Sequence, residues 1–170
     1  MSAAALRALH VPGEPLVLPN AWDAATARLV EQAGFPAVAT TSSGVTDAGA
    51  AGHYLEDTDH PNHPALVPAD RHARRIARIK DSADLVVNAR IDVHVRGGAT
   101  PEALERARAY SDAGADCVYP IGVADEATIA AFVELGVSVN VLLRPGAPPI
   151  ARLAELGVAR VSLGHCCTWR

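Results

Sequence analysis

The feature that most restricts the fold of this chain is a repeated change from helix to strand at a glycine. Four segments show it, and in each a helical pattern ends in Gly shortly before an apolar run: QAGFPAVAT, DAGADCVYP, ELGVSVNV and ELGVARVS. Glycine ends helices because it adopts the left-handed backbone conformation without steric cost. The last three glycines, Gly114, Gly136 and Gly157, are spaced by 22 and 21 residues, which suits one compact helix–strand unit.

Strands and helices are therefore predicted to alternate along the chain. The predicted strands are 16–18, 37–43, 53–57, 84–93, 115–122, 137–143 and 159–164, and the predicted helices are 24–33, 68–83, one starting near 100, 125–135 and 149–156. Asp23 and Thr100 are the predicted N-caps of two of these helices. Alternation of this kind indicates parallel pairing through βαβ crossovers, in either a (β/α) barrel or an open doubly wound sheet.

Polar residues at the ends of the strands favour the barrel. The chain lacks G-x-G-x-x-G after the first strand, and it lacks G-x-x-x-x-G-K-[ST]. These motifs bind nucleotide phosphates in open sheets, so their absence argues against a nucleotide-binding open sheet. Barrels build their sites from residues that follow several different strands. Such residues here are Asn20, Asp23, Ser42, Ser43, Glu56, Asp57, Arg90, Asp92, Asn140 and Arg144.

Length and charge limit the class of protein. The 170 residues are expected to form one domain, 1–170, with a sizeable core. A net charge of −4 without a basic block argues against nucleic acid and acidic membranes as partners, whereas a small carboxylate is compatible with single arginines. No signal peptide or membrane span is expected. Three cysteines, at 117, 166 and 167, do not form a disulfide framework, so a cytoplasmic location is expected.

Five segments carry a family resemblance: PLVLPNAWDAATARLVEQAGFPAVATTSSGV, YLEDTDH, LVVNARIDV, AGADCVYPIG and VNVLLRPGAPPIARLAELGVARVSLG. In this order, from Pro15 to about Gly164, they resemble the isocitrate lyase/phosphoenolpyruvate (PEP) mutase superfamily. The resemblance implies an α/β (β/α)8 TIM barrel, usually oligomeric with helix exchange. It also implies that a C–C or C–P bond is made or broken beside a pyruvate-like enolate held on Mg²⁺. A hard divalent ion with oxygen ligands stabilises the charge that develops on such an enolate.

The same resemblance assigns roles to individual residues. Ser43 and Gly44 fall on the family's substrate-binding pair, and Glu56 falls on its metal-shell glutamate. Arg90 falls on the strand-end arginine that clamps an acidic group, and Asn140 on an asparagine of the seventh strand. Arg90 and Glu56 are thus the implied catalytic residues, and Glu56 is the implied Mg²⁺ contact.

The sequence departs from the family between its second and third predicted strands. The family's D-x-D-x-G-[YF]-G segment, which anchors the metal, has no counterpart, and Glu56 follows Gly44 by twelve residues. A parallel crossover needs about a dozen residues or more, usually with a helix. We therefore expect an incomplete barrel of about seven strands, without the third βα unit. Ile121 also replaces an acid of the lyases, and the ending GHCCTWR is unlike the family's last helices.

Three functions are compatible with these departures. The first is Mg²⁺-dependent lyase chemistry on a small 2-oxo or 2-hydroxy acid, with impaired activity. The second is a non-catalytic, truncated family member. The third is a binder of pyruvate-like anions that does not depend on Mg²⁺.

Several residues also have plainer interpretations. His53, His60 and His63 lack zinc spacing and are expected to be exposed loop histidines. Asp57 and Asp59 are predicted loop caps, Asp92 a residue that approaches a helix, Cys117 a core residue, and 74–80 a solvated basic helix face. Arg90 is either a ligand for an anion or a partner in a structural ion pair, because burying it alone is costly.

Overall fold

A computed structural model describes residues 1–21, 24–40, 51–59 and 65–163 of the chain. Its strands are β1 (Leu16–Leu18), β2 (Asn20–Ala21), β3 (Ala39–Thr40), β4 (Gly52–Glu56), β5 (Val86–Ile91), β6 (Cys117–Pro120), β7 (Ser138–Leu143) and β8 (Arg160–Leu163). Its helices are α1 (Ala3–Ala8), α2 (Ala24–Gln32), α3 (Ala69–Ser82), α4 (Thr100–Asp112), α5 (Glu126–Val133) and α6 (Ile150–Glu155), with a 3-10 turn at His94–Arg96. Within these ranges no helix is long and apolar enough to cross a bilayer.

The sheet is parallel and has the strand order of a barrel. Six strands pair in the order β1-β8-β7-β6-β5-β4, and β2 pairs separately with β3. Pro19 separates β1 from β2, and its carbonyl accepts a 2.8 Å bond from the Ala39 amide. The segment 16–21 therefore lies between β8 and β3, so the first strand follows the last around the sheet. The barrel is confirmed, and the open doubly wound alternative is wrong.

The barrel is interrupted between β3 and β4. In the described residues β4 pairs only with β5, and β3 pairs only with β2. Eleven residues, 41–51, separate β3 from β4, fewer than the roughly twelve that a parallel crossover requires. If β1 and β2 count as one strand, the described chain has seven strand positions. The predicted incomplete barrel is thus confirmed.

The core lies between the outer face of the sheet and the helices. Val87, Ala89 and Ile91 of β5 pack in one cluster with residues such as Tyr110 and Phe132 of the helices. Because side chains alternate along a strand, the residues between them face the interior of the barrel. This alternation directs polar residues of the strands inward.

Glycines end the helices as the sequence predicts. Gly34, Gly114, Gly136 and Gly157 all adopt positive φ, between 76° and 95°. The helix starts are less well predicted. The N-cap of α4 is Ala99, so Thr100 is already helical, and Asp23 lies outside the described residues.

Helix α1, which the sequence analysis did not predict, lies against one end of the barrel. Leu6 packs with Leu16, Leu18 and Val86 in a second apolar cluster. These strand residues do not belong to the outer cluster. They therefore form the interior floor of the barrel with α1.

Asp116 ties this floor to the rest of the fold. Its carboxylate accepts bonds from Arg7 Nε (2.6 Å), Lys80 Nζ (2.8 Å) and the Val87 amide (2.8 Å). The side chain of Lys80 is only 24% exposed, so the predicted solvated face over 74–80 does not extend to it. Burial alone would raise the pKa of Asp116, but Lys80, Arg7 and the amide hold it below its ordinary value.

We expect Asp116→Asn to lower the free energy of unfolding by about 1 to 3 kcal/mol at pH 7, because charge-assisted bonds are lost. The pKa of Asp116 is lower in the folded chain than in the unfolded chain, so its ionised carboxylate stabilises the fold above pH 4, about the pKa of an unfolded aspartate. This stabilisation is lost as the pH falls below about 4. Urea unfolding between pH 7 and pH 3 measures both effects. The exposed Asp81→Asn is the control, and equal stability of the two variants would contradict the prediction.

Candidate active site at the mouth of the barrel

Parallel register brings two of the predicted site residues together. Glu56 is the Cα partner of Arg90 between β4 and β5, and Arg90 is the partner of Tyr119 between β5 and β6. Register partners on neighbouring strands project from the same face of a sheet. Glu56, Arg90 and Tyr119 thus form an inward row at the carboxyl ends of three strands, where barrels place their sites.

Arg90 is held between two carboxylates. Its Nη1 lies 2.7 Å from Glu56 Oε2, and its Nε donates a 2.7 Å bond to Asp92 Oδ1. Burial alone would lower the pKa of Arg90, but Asp92 and Glu56 outweigh it and raise the pKa. The Arg90 and Glu56 side chains are 23% and 22% exposed, against 1% for Asp92. Arg90 is therefore a fixed cation that solvent reaches, mainly on the Glu56 side.

Asp92 leads into the 3-10 turn at His94–Arg96, as predicted for a residue that approaches a helix. It is also a buried anchor, which the prediction did not include. Besides Arg90, it accepts a short bond from the Thr58 hydroxyl. Its own amide donates a 2.8 Å bond to Asp57 Oδ1. The signal for this role was in the sequence, since residues 88, 90 and 92 alternate with the apolar residues of NARID.

Asp57 is also buried rather than a loop cap, which corrects the prediction made for it. Its Oδ2 accepts bonds from the Tyr110 hydroxyl (2.8 Å) and from Arg106 Nη1 (3.2 Å), and its side chain is fully buried. Burial raises the pKa of Asp57 in spite of these donors. The network ties the end of β4 to α4 and so fixes Glu56, its chain neighbour.

Asn140 lies apart from the mouth. It is fully buried within β7, where its Nδ2 donates to Ser162 Oγ (3.0 Å) and its Oδ1 accepts from the same hydroxyl (3.1 Å). Its substrate-binding role stays a prediction. Ser43 and Gly44 lie outside the described residues.

Tyr119 and Arg160 are interior residues that sequence reasoning missed. Tyr119 continues the row beyond Arg90, and burial raises the pKa of its hydroxyl to about 12 although Arg90 and Arg160 oppose the shift. Arg160 begins β8 and is 8% exposed. Strand alternation could have indicated both residues. Because the strands around them are mostly apolar, the sequence does not show which of their side chains face the interior.

The described residues do not fit a Mg²⁺ site of several carboxylates. Among them, no three His, Cys, Asp or Glu side chains converge as metal ligands. Glu56 is paired with Arg90, while Asp57 and Asp92 accept bonds from buried donors. Of the predicted loop histidines, His53 is half-buried and stacks on Tyr54 with ring centroids 6.2 Å apart. His60 and His63 lie outside the described residues.

Comparison with known proteins places this geometry in a family. The model of the phosphoenolpyruvate phosphomutase family matches residues 6–48 and 43–169. An uncharacterized protein of Mycobacterium tuberculosis is 33% identical over 207 residues, which cover 92% of this chain and 80% of the relative. The 2-methylisocitrate lyase of Escherichia coli is 32% identical over 138 residues, covering 74% of this chain but only 46% of the lyase.

Solved structures agree with the fold. A protein of Burkholderia cenocepacia with a provisional phosphonomutase assignment superposes with a TM-score of 0.82 and 32% identity, over 96% of this chain and 93% of that one. A phosphonopyruvate hydrolase bound to oxalate and Mg²⁺ gives a TM-score of 0.78 at 22% identity, over 96% of this chain and 81% of the hydrolase. The latter likeness shows the fold alone.

The alignment with the mycobacterial relative is longer than the part of this chain that it covers. It spans 207 positions, whereas 92% of 170 residues is about 156, so about 50 positions have no counterpart in this chain. The family model matches this chain in two parts that meet at residues 43–48, so both comparisons agree with a shortened connection between β3 and β4. The chain belongs to the phosphoenolpyruvate phosphomutase family, within the isocitrate lyase/PEP mutase superfamily.

Proposed function

We propose that this protein binds a small 2-oxo or 2-hydroxy acid at the mouth of the barrel through Arg90. Its family-type cleavage of a C–C or C–P bond is impaired. The observation that carries the proposal is the pairing of Arg90 with Glu56 at the carboxyl ends of β4 and β5, at 2.7 Å. Family membership and the location of this pair support a carboxylate ligand.

Arg90 has the donors that such a ligand requires. Its Nε and Nη1 are engaged by Asp92 and Glu56, and within the described residues its Nη2 has no hydrogen-bond partner. A guanidinium binds a carboxylate best through two parallel N–H groups. A two-point clamp through Nη1 and Nη2 places the carboxylate of the ligand beside that of Glu56, which already contacts Nη1. The two like charges repel each other, so Glu56 and the substrate compete for the same cation.

This chain lacks most of the residues that would hold the Mg²⁺ of the family's chemistry. In this family Mg²⁺ would supply charge stabilisation for an enolate oxygen. Of the residues that the resemblance implies for the metal shell, this chain retains Glu56, whose carboxylate is engaged by Arg90. Since Mg²⁺ in proteins is held by few protein ligands, losing carboxylates weakens its binding severely. Impaired turnover follows.

A second candidate is anion binding without catalysis. The feature that favours it is the fixed charge of Arg90, which Asp92 holds in place without a metal. Its ligand would be a pyruvate-like anion, as in the first proposal. The two candidates differ in whether any bond is cleaved.

We expect oxalate, which mimics the pyruvate enolate, to raise the melting temperature equally in Mg²⁺ and in EDTA, because Arg90 rather than a metal binds it. Differential scanning fluorimetry measures this shift. A panel of 2-oxo and 2-hydroxy acids, assayed for released product, tests turnover in parallel. Robust cleavage of any of these acids that chelation abolishes would show that the metal centre is functional.

Variants of the Glu56–Arg90 pair test the competition directly. Arg90→Lys is expected to weaken oxalate binding about tenfold or more, because lysine keeps the charge but loses the two-point contact. Glu56→Gln is expected to strengthen binding, because it removes the competing carboxylate. Isothermal titration calorimetry measures both affinities.

Arg152→Lys is the matched control, since Arg152 pairs with Glu126 and Glu155 on the surface. It should bind oxalate as the parent chain does. Unchanged affinity in Arg90→Lys would contradict the assignment of Arg90.

A further inference from the structure

Arg160 places a second positive charge inside the barrel, away from the pair at the mouth. It is the Cα partner of Leu16 on β1 and of Asn140 on β7. Its chain neighbour Val161 packs in the outer core cluster, so alternation directs Arg160 toward the interior. The residue is 8% exposed.

This charge has no carboxylate partner among the residues that the structure describes. Buried Arg106 is bonded to Asp57, and half-buried Arg90 to Asp92. Arg160 makes no such ion pair there, and its Nε is buried without a hydrogen-bond partner. An unpaired buried charge costs several kcal/mol or more, so a counter-charge is expected beside it.

The neighbouring acids of Arg160 are Cys117 and Tyr119. Burial raises the pKa of each to about 12, so both are neutral at pH 7. His10 also lies near Arg160, and burial together with this cation lowers its pKa. Burial lowers the pKa of Arg160 as well, yet a guanidinium stays protonated in proteins. The positive charge is therefore not neutralised by its neighbours.

Asn88 adds a second unsatisfied group to the same interior. It is 1% exposed and is the Cα partner of Cys117, the residue that Arg160 approaches. Both polar atoms of its side-chain amide are buried without a partner. Buried polar groups in native structures are almost always hydrogen-bonded, so an unpartnered amide near a buried charge favours a polar ligand in this interior.

We propose that the barrel interior binds one small inorganic monoanion of the halide class. The Arg160 guanidinium supplies the charge, and the Asn88 amide N–H group is a second donor. The site is separate from the proposed carboxylate site at Arg90 and does not depend on it. Tyr119 lies within electrostatic range of both arginines and so stands between the two sites. The bound anion offsets the charge that this fold leaves buried.

Salt identity tests the proposal in the parent chain. The melting temperature is measured in sodium chloride, sodium bromide and sodium gluconate at one ionic strength, since gluconate is far larger than a halide ion. At tenfold excess over Kd, chloride or bromide should raise the melting temperature by about 3 to 6 °C relative to gluconate. Equal melting temperatures in all three salts would overturn the proposal.

Arg160→Met, which keeps an unbranched apolar stem and removes the charged guanidinium, should lose the chloride effect. Arg152→Met on the surface should keep it. A chloride effect of equal size in both variants would overturn the site, because it would be a general salt effect.

Crystals of the parent chain grown in bromide locate the ion and do not need the variant to fold. An anomalous peak beside the Arg160 guanidinium is expected, whereas its absence at that position would overturn the proposal.

Oxalate titration at constant bromide separates this site from the mouth. A lost bromide peak with intact, Arg90-dependent oxalate binding would reject the anion site alone, and loss of oxalate binding alone would reject the proposed function.

Discussion

The parallel pairing of β4 with β5 is the interaction on which the mouth of this barrel depends. It places Glu56 opposite Arg90, and the buried carboxylate of Asp57 fixes the end of β4 against α4 through Tyr110 and Arg106. Arg90 is fixed in the same way from its own strand by Asp92. Each member of the ion pair is thus held by a neighbouring buried aspartate, so the pair is preorganised rather than a chance surface contact.

The short connection between β3 and β4 explains why this mouth differs from that of a complete family barrel. Eleven residues do not provide a strand, a helix and two loops, so the sheet is interrupted at this point in the described chain. The carboxylates that the family resemblance leads one to expect on a third strand have no place there. The remaining strands still carry the Arg90 cation, which is why we propose anion binding as the function.

Much of the fold was predictable, because it depends on local chemistry. Glycines at helix ends and uninterrupted apolar runs predicted the alternation, and the length of one linker predicted the gap. The proposed roles of Glu56 and Arg90 came from the family resemblance, and the register places the two residues side by side. The buried role of Asp57 was not predictable, since it depends on donors such as Tyr110 that are distant in sequence. That of Asp92 was indicated by the alternation of polar and apolar residues over 88–92 and was missed. Helix α1 was also missed, because a run of six residues is too short to show a helical period.

The central claim is that the cation of Arg90, and not a metal centre, binds the substrate-like anion. A crystal structure of the chain grown with Mg²⁺ and oxalate tests it most directly. Oxalate should lie against Nη1 and Nη2 of Arg90, with Glu56 displaced and without a carboxylate-ligated metal between them. Oxalate chelating a fully coordinated Mg²⁺ held by protein carboxylates, in a closed eight-stranded barrel, would contradict the account.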